Sequence, residues 1–175
     1  MDKFSSWNAD AVLARYMVDG DKDYLLDMKK DLETEYQRWE RTNRLKNGLY
    51  WQGDVQDGME ESISGGRRKK YARPTINSYM YGNAKALSCI GILSGDEGMA
   101  MKYGMRADTL KNLVENELWN TRHQFLRRCV RTLPRMCVKQ SDIFLGISTC
   151  RIPPKSMKLP GKKLWMKKAS LLLMD

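Results

Sequence analysis

Apolar side chains recur at three- and four-residue steps along four segments of the chain, the spacing of one face of an α-helix. We therefore predict four helices between about Ser6 and Asn120, and an all-α fold. The stripes consist of Ala11, Ala14 and Val18; Leu25, Met28, Leu32, Tyr36 and Trp39; Met80, Ala84, Leu87 and Ile90; and Ala100, Tyr103, Ala107, Leu110, Val114 and Leu118.

A Gly-Asp pair separates the first stripe from the second, and another precedes the fourth. Gly20 and Gly95 can adopt the left-handed conformation that closes a helix. Asp21 and Asp96 can accept hydrogen bonds from the first free N–H groups of the next helix. The repeated turn predicts two antiparallel helical hairpins.

The connection between the hairpins, from about Thr42 to Ile76, exceeds the usual length of an unstructured loop and is therefore a candidate functional segment. Its centre reads GLYWQGDVQDGMEESISG. In an extended chain Tyr50, Gln52, Asp54 and Gln56 would share one side, which leaves a short β-hairpin open. The same stretch contains four carboxylates, Asp54, Asp57, Glu60 and Glu61.

Carboxylates beside tryptophan and tyrosine suit sugar binding, because an aromatic ring packs on the apolar face of a pyranose while acids accept its hydroxyl hydrogens. Glycosidases also need a proton donor at the glycosidic oxygen, which one of two carboxyl groups usually provides. The alternative is a solvated surface loop, since Asp, Gly and Ser are common turn residues. A calcium loop is disfavoured, because the alternate-residue ligand series with a closing Glu is not present.

Three strings carry a more specific resemblance: ADAVLARYMVDGDKDYLLDMKKDLETEYQRWE, GLYWQGDVQDGMEESISG and RPTINSYMYGNAKAL. Together they resemble the mannosylglycerate-hydrolase-like glycoside hydrolase domain. That domain belongs to the six-hairpin (α/α) toroid glycosidases, which include trehalase and the processing α-glucosidases. The resemblance covers about Trp7 to Phe125 and implies that residues 1–125 are a partial (α/α) toroid.

The resemblance also implies roles for individual residues. A Gly-Met-acid segment supplies the general acid in these relatives, which assigns that role to Glu60, although the better-known relatives have Asp there. Asp57 is the second candidate, and the general base comes from a later hairpin that has no match here. The expected substrate-binding rim consists of Tyr50, Trp51, Arg73, Asn77 and Tyr81.

Several rim residues have a structural alternative. Trp51 could simply cover the core, and Arg73 could pair with a loop acid without a catalytic role. Asn77 could act only as a cap of the helix that follows Pro74. These alternatives stay open at the level of the sequence.

The formal charge of +10 lies in the last third of the chain. Residues 127–175 contain 12 Lys and Arg against two acids, together with four of the five prolines and three of the four cysteines. Neither a sustained amphipathic stripe nor the family resemblance continues there. We therefore predict an irregular basic tail at 126–175, either disordered or translated out of frame.

The genetic code supports the frameshift interpretation. If each codon window begins two nucleotides later, Trp165-Met166-Lys167 must read Asp-Glu. With permitted codons, residues 136–147 can then read VREAIGYIPWY and residues 157–173 can read EAAWKETMDEEGFFAP. Both resemble what the family carries beyond this point, and loss of one nucleotide near Phe125 would explain the change.

The competing interpretation is a non-enzymatic helical binding module whose basic arm binds nucleic-acid phosphates or an anionic membrane surface. Lys162, Lys163, Lys167 and Lys168 flank an apolar centre and favour it, but no nucleic-acid fold signature accompanies them. We expect a carbohydrate substrate instead, without nucleic-acid or membrane partners.

We expect no cofactor and no metal, since His123 is the single histidine and no Cys/His set has zinc spacing. We expect no signal peptide in this chain; the parent's compartment and oligomeric state stay open.

Overall fold

The computed structural model of the chain describes residues 6–53, 56, 70–122 and 125–126. Its main elements are four α-helices: α1 (Asn8–Asp19), α2 (Lys22–Asn43), α3 (Pro74–Ser94) and α4 (Glu97–Leu113). A π-helical turn, Val114–Leu118, extends α4 by five residues. The predicted all-α helical-hairpin fold is confirmed. Asp57, Glu60 and the tail from residue 127 lie outside the described residues.

Both Gly-Asp turns have the geometry that the sequence predicts. Gly20 and Gly95 have φ values of 73° and 74°, in the left-handed region that favours glycine. The Asp21 carboxylate accepts from the Tyr24 amide at 3.1 Å, and the Asp96 carboxylate accepts from the Met99 amide at 2.9 Å. Each aspartate therefore satisfies a free N–H group at the start of its helix.

Short antiparallel strands join the two ends of the acidic loop, the stretch between Tyr50 and Arg73 that contains Asp54, Asp57, Glu60 and Glu61. Strand β1 (Trp51–Gln52) pairs with β2 (Tyr71–Ala72), with Trp51 opposite Ala72 and Gln52 opposite Tyr71. The alternation at Tyr50 and Gln52 therefore does mark a strand, but its partner lies beyond the acids. A second short pair, β3 (Trp119–Asn120) with β4 (Phe125–Leu126), follows the π-helical turn.

Helix α3 lies at the centre of the fold and contacts each of the other three helices. Its buried side chains point in all directions, as expected for a helix surrounded by others. It approaches α4 closely at Gly91, where a Cβ added to the glycine would meet the Ala100 amide nitrogen at 2.6 Å. The stripes predicted for α2, α3 and α4 face the main core, which surrounds α3, with Met28 and Ala100 only partly buried. Val114 and Leu118, at the end of the fourth stripe, instead pack with Leu49 in a second cluster.

The apolar stripe predicted for α1 is wrong. Ala11, Ala14 and Val18 are exposed, whereas Ala9 and Leu13 are buried. The helix is rotated so that Leu13 faces the core, with Val12 and Tyr16 partly buried beside it. These larger side chains remove more apolar area from water than alanine does.

Helix α1 is capped by a side chain of α3. Its own N-cap residue, Trp7, makes no side-chain cap hydrogen bond. The Asn83 carbonyl oxygen instead accepts from the amides of Ala9 and Asp10 at 3.1 and 3.4 Å, while its amide donates to the Ser6 carbonyl at 2.8 Å. None of the described helices is long and apolar enough to cross a membrane.

Candidate active site

The part of the candidate site that the structure describes is the neck of the acidic loop, which we define as Tyr50–Gly53 and Tyr71–Arg73. The pairing of β1 with β2 brings these segments together. The predicted acids Asp57 and Glu60 lie outside the described residues. The neck nevertheless fixes where the chain leaves for the acidic segment and where it returns.

Asn77, on the first turns of α3, ties the neck to the helix. Its carbonyl oxygen accepts from the Tyr50 amide at 2.8 Å, and its amide donates to the Tyr50 carbonyl at 2.9 Å. The second amide hydrogen is donated to the Arg73 carbonyl at 2.7 Å. The side chain is fully buried, and both of its N–H donors are used by the backbone. It therefore does more than cap the helix.

Tyr50 is held from its other end as well. Its hydroxyl donates to Glu40 Oε1 at 3.2 Å, and the same oxygen accepts from Arg106 Nε at 2.6 Å and from Arg106 Nη2. Burial, followed by the charge of Glu40, raises the pKa of the Tyr50 hydroxyl to about 12. The ring is wholly buried, so it is not on a rim formed by the described residues. Tyr50 faces the helices, on the side opposite to Trp51. Its role in a substrate-binding rim stays a prediction.

A second tyrosine lies beside this cluster. The Tyr36 hydroxyl is buried and has no hydrogen-bond partner among the described residues. Burial, with the nearby Tyr50 hydroxyl as the next cause, raises its pKa far above the ordinary value. Its ring packs edge-on against Tyr103 of α4, with centroids 5.2 Å apart. The cluster thus links α2, α4 and the loop neck.

Arg73 precedes α3 and is also buried, with 4% of its surface exposed. Its Nη1 donates to the Gly53 carbonyl at 3.2 Å, across the neck. The buried Gln52 donates to the Gln56 carbonyl, and Gln56 Oε1 accepts from the Gly53 amide at 3.3 Å. Arg73 therefore holds the backbone at Gly53, the last residue of the first neck segment.

Trp51 is the neck aromatic that remains partly accessible. The Lys70 ammonium lies 4.4 Å from the centre of its ring, a cation–π distance, and Asn43 donates to its carbonyl at 3.0 Å. Tyr81, one turn beyond Asn77 on α3, is partly buried and packs against the main core. Of the five predicted rim residues, Trp51 and Tyr81 are thus the ones that keep accessible surface.

A cleft of about 260 Å³ opens between α2 and α4. Its two cations pair with α2 carboxylates, Lys102 with Glu33 at 3.0 Å and Arg106 with Glu40. Burial opposes ionisation of Glu33, but hydrogen bonds from Lys102 and Tyr103 outweigh it and lower its pKa. The cleft is lined by Glu40, Lys102, Tyr103, Met105, Arg106 and Thr109.

These contacts bear on whether Glu33 and Glu40, the two α2 carboxylates, are suited to donate a proton. An acid with a lowered pKa is ionised at neutral pH, so Glu33 is a poor general acid. Glu40 accepts from two different side chains and supports the fold. Among the described residues, no group of three or more His, Cys, Asp or Glu could hold a metal ion.

Sequence reasoning missed the Glu40–Arg106 pair and the role of Asn83. Glu40 directly follows the second apolar stripe and Arg106 lies among the residues of the fourth, so each looks like a solvated charge on an amphipathic helix. They lie 66 residues apart, and only the packing of α2 beside α4 brings them together. Neither residue carries a local sequence signal for this contact.

Comparison with known proteins gives the family. The model of the mannosylglycerate hydrolase MGH1-like glycoside hydrolase domain matches residues 2–142. A solved structure titled "Sialidase" is 86% identical, with a TM-score of 0.73, over 77% of this chain and 12% of that chain. No curated protein matches the sequence. The region matched in the sialidase-titled chain is about an eighth of its length. Since the family match covers most of the sequence, the chain belongs to the MGH1-like glycoside hydrolase family.

Proposed function

We propose that this chain is part of a glycoside hydrolase that cleaves O-glycosidic bonds of an oligo- or polysaccharide by carboxylate acid/base catalysis. The observation that carries the proposal is the family match, which includes the whole acidic loop between Tyr50 and Arg73. Glu60 acts as the general acid and Asp57 is the second candidate. Trp51 and Tyr81 offer aromatic surface to the sugar, while Arg73 shapes the loop.

The proposed reaction proceeds with inversion. Glu60 protonates the leaving oxygen while a second carboxylate activates water on the opposite face of the sugar. The two carboxyl groups of an inverting enzyme lie about 6.5–9.5 Å apart, which leaves room for that water. We assign the base to a later hairpin of a six-hairpin toroid that this chain does not contain. The chain by itself is therefore inactive in this proposal.

The proposal includes a change of reading frame near Phe125. It is supported by the family-like strings in the shifted frame and by the concentration of basic residues after position 126. The family match extends to residue 142, sixteen positions beyond that boundary. Sequencing the DNA around codon 126 tests this part: a single reading frame that continues unchanged in independent clones and in close homologues would contradict it.

The catalytic assignment is tested by Glu60→Gln in the full-length enzyme read in frame past residue 125. Gln keeps the size of Glu but cannot supply the acidic proton, so hydrolysis of unactivated oligosaccharides should fall by about 10²–10⁴-fold. Glu61→Gln is the matched control, because it removes an adjacent charge from the same loop. Activity of Glu60→Gln within about threefold of the parent would transfer the role to Asp57, to be tested as Asp57→Asn.

A further inference from the structure

The side chain of Asn77 imitates the edge of a β-strand. It accepts from the Tyr50 amide and donates to the Tyr50 carbonyl, as a neighbouring strand residue would. Tyr50 is the last residue before β1, so the amide group fixes the backbone at the entrance to the loop. Since Asn77 is rigidly part of α3, this contact sets the position of the loop neck along the helix.

The geometry leaves Asn77 little capacity to bind a sugar. Both of its N–H donors are already donated to backbone carbonyls, those of Tyr50 and Arg73. Its exposed surface is 0%. A residue that recognises a sugar hydroxyl needs an accessible donor or acceptor, whereas Asn77 lies beneath the neck.

We infer that Asn77 is a positioning residue of the glycosidase site, which sets the neck that precedes Glu60 instead of binding substrate. This inference rests on the proposed function for its catalytic consequence. The Glu40–Arg106 pair supports the same point from the other side, because it holds the Tyr50 hydroxyl. The Tyr50 backbone and side chain are thus anchored independently, to α3 and to the α2–α4 pair.

Asn83 offers a matched control on the same helix. Like Asn77, it makes three hydrogen bonds to backbone groups, with Ser6, Ala9 and Asp10. Those contacts hold α1 instead of the loop. Loss of either side-chain amide should loosen the fold, but only loss of the Asn77 amide should alter the neck.

The experiment compares Asn77→Ser with Asn83→Ser in the full-length enzyme read in frame. Serine is too short to bridge both backbone groups of Tyr50. We expect Asn77→Ser to lower kcat by about 10–100-fold, since displacement of a catalytic group by about 1 Å can have such an effect. KM should change less than kcat, because Asn77 itself makes no substrate contact and only the neighbouring Trp51 of the neck would shift. Asn83→Ser should leave both constants within about twofold.

Amide hydrogen exchange supplies a second measurement, which is made both in the full-length enzyme and in the 175-residue chain. Asn77→Ser should accelerate exchange of the Tyr50 amide, and Asn83→Ser should accelerate exchange of Ala9 and Asp10 instead. If Asn77→Ser does not fold, Asn77→Asp is assayed in the same way, since it keeps the size and the acceptor for the Tyr50 amide.

Two outcomes would overturn the inference. One is faster Tyr50 exchange with unchanged kcat, and the other is an equal loss of kcat in both serine variants. If the parent enzyme hydrolyses no glycoside, the proposed function fails separately. Hydrogen exchange then tests by itself whether Asn77 holds the Tyr50 backbone. Unchanged protection of the Tyr50 amide in Asn77→Ser would overturn that role, and faster exchange would support it.

Discussion

Replacing Gly91 by alanine places a methyl group against the backbone of the neighbouring helix. The new Cβ would lie 2.6 Å from the Ala100 nitrogen, 2.9 Å from its Cα and 3.1 Å from its Cβ. The first two atoms belong to the backbone of α4 and cannot rotate away. The helices must therefore separate, which loosens the α3–α4 packing at the centre of the fold.

The expected magnitude follows from two opposing effects. Overpacking a well-packed interior typically costs about 1–3 kcal/mol. Alanine favours a helix over glycine by up to about 1 kcal/mol, which offsets part of this loss. Gly98→Ala in α4 is the matched control, because its nearest contact would be Asp96 Oδ1 at 3.7 Å. Gly91→Ala should thus be about 1–3 kcal/mol less stable than Gly98→Ala.

Thermal unfolding of the 175-residue chain, followed by circular dichroism at the helical band, provides the assay. A change of 1 kcal/mol shifts the Tm of a chain of 150–250 residues by about 2–4 °C. The Tm of Gly91→Ala should therefore lie about 2–12 °C below that of Gly98→Ala. Adding Ala100→Gly should restore little, since the closest contacts are with backbone atoms. Equal Tm values, or full restoration by Ala100→Gly, would refute the packing argument.

Three further predictions concern side-chain contacts. Asn83→Ala should destabilise the chain by about 1–2 kcal/mol and expose the first amides of α1 to exchange, whereas Asn83→Asp, which keeps the acceptor, should cost less. Burial raises the pKa of the Tyr50 hydroxyl from 10.0 to about 12. The contribution of this group to the free energy of unfolding is therefore complete below pH 10 and is lost between about pH 10 and 12. Urea unfolding at pH 9 and 11.5 should show this decline, and Tyr50→Phe should make it smaller; an identical decline would contradict the assignment. Glu40→Gln should cost about 1–3 kcal/mol by leaving Arg106 half-buried without its charge partner, and a double-mutant cycle with Arg106→Met should give a coupling above about 0.5 kcal/mol.

The helices and their turns could be predicted because their signals are local. Three-four apolar spacing and a Gly-Asp pair each depend on a few consecutive residues, and the backbone of Gly20 and Gly95 has the expected left-handed conformation. The rotation of α1 could not be predicted in this way. Its sequence contains two competing apolar stripes, and the choice between them depends on the surface of α3.

The site was less predictable, because its contacts join distant parts of the chain. Alternation at Tyr50 and Trp51 indicates that they face opposite sides of a strand, but it does not say which side is buried. Asn77 lies 27 residues from Tyr50, and its pairing with that backbone has no local sequence signal. The resemblance correctly gave the family, whereas the roles of Glu60 and Asp57 stay predictions.

The most direct measurement is glycoside hydrolysis by the purified 175-residue chain beside the full-length enzyme read in frame. Aryl glycosides and short oligosaccharides serve as substrates, and proton NMR identifies the anomer that is released first. We expect hydrolysis with inversion by the full-length enzyme and no turnover by the chain, because we assign the base to a later hairpin. Turnover by the chain comparable to that of the full-length enzyme, or no hydrolysis by either protein, would contradict it.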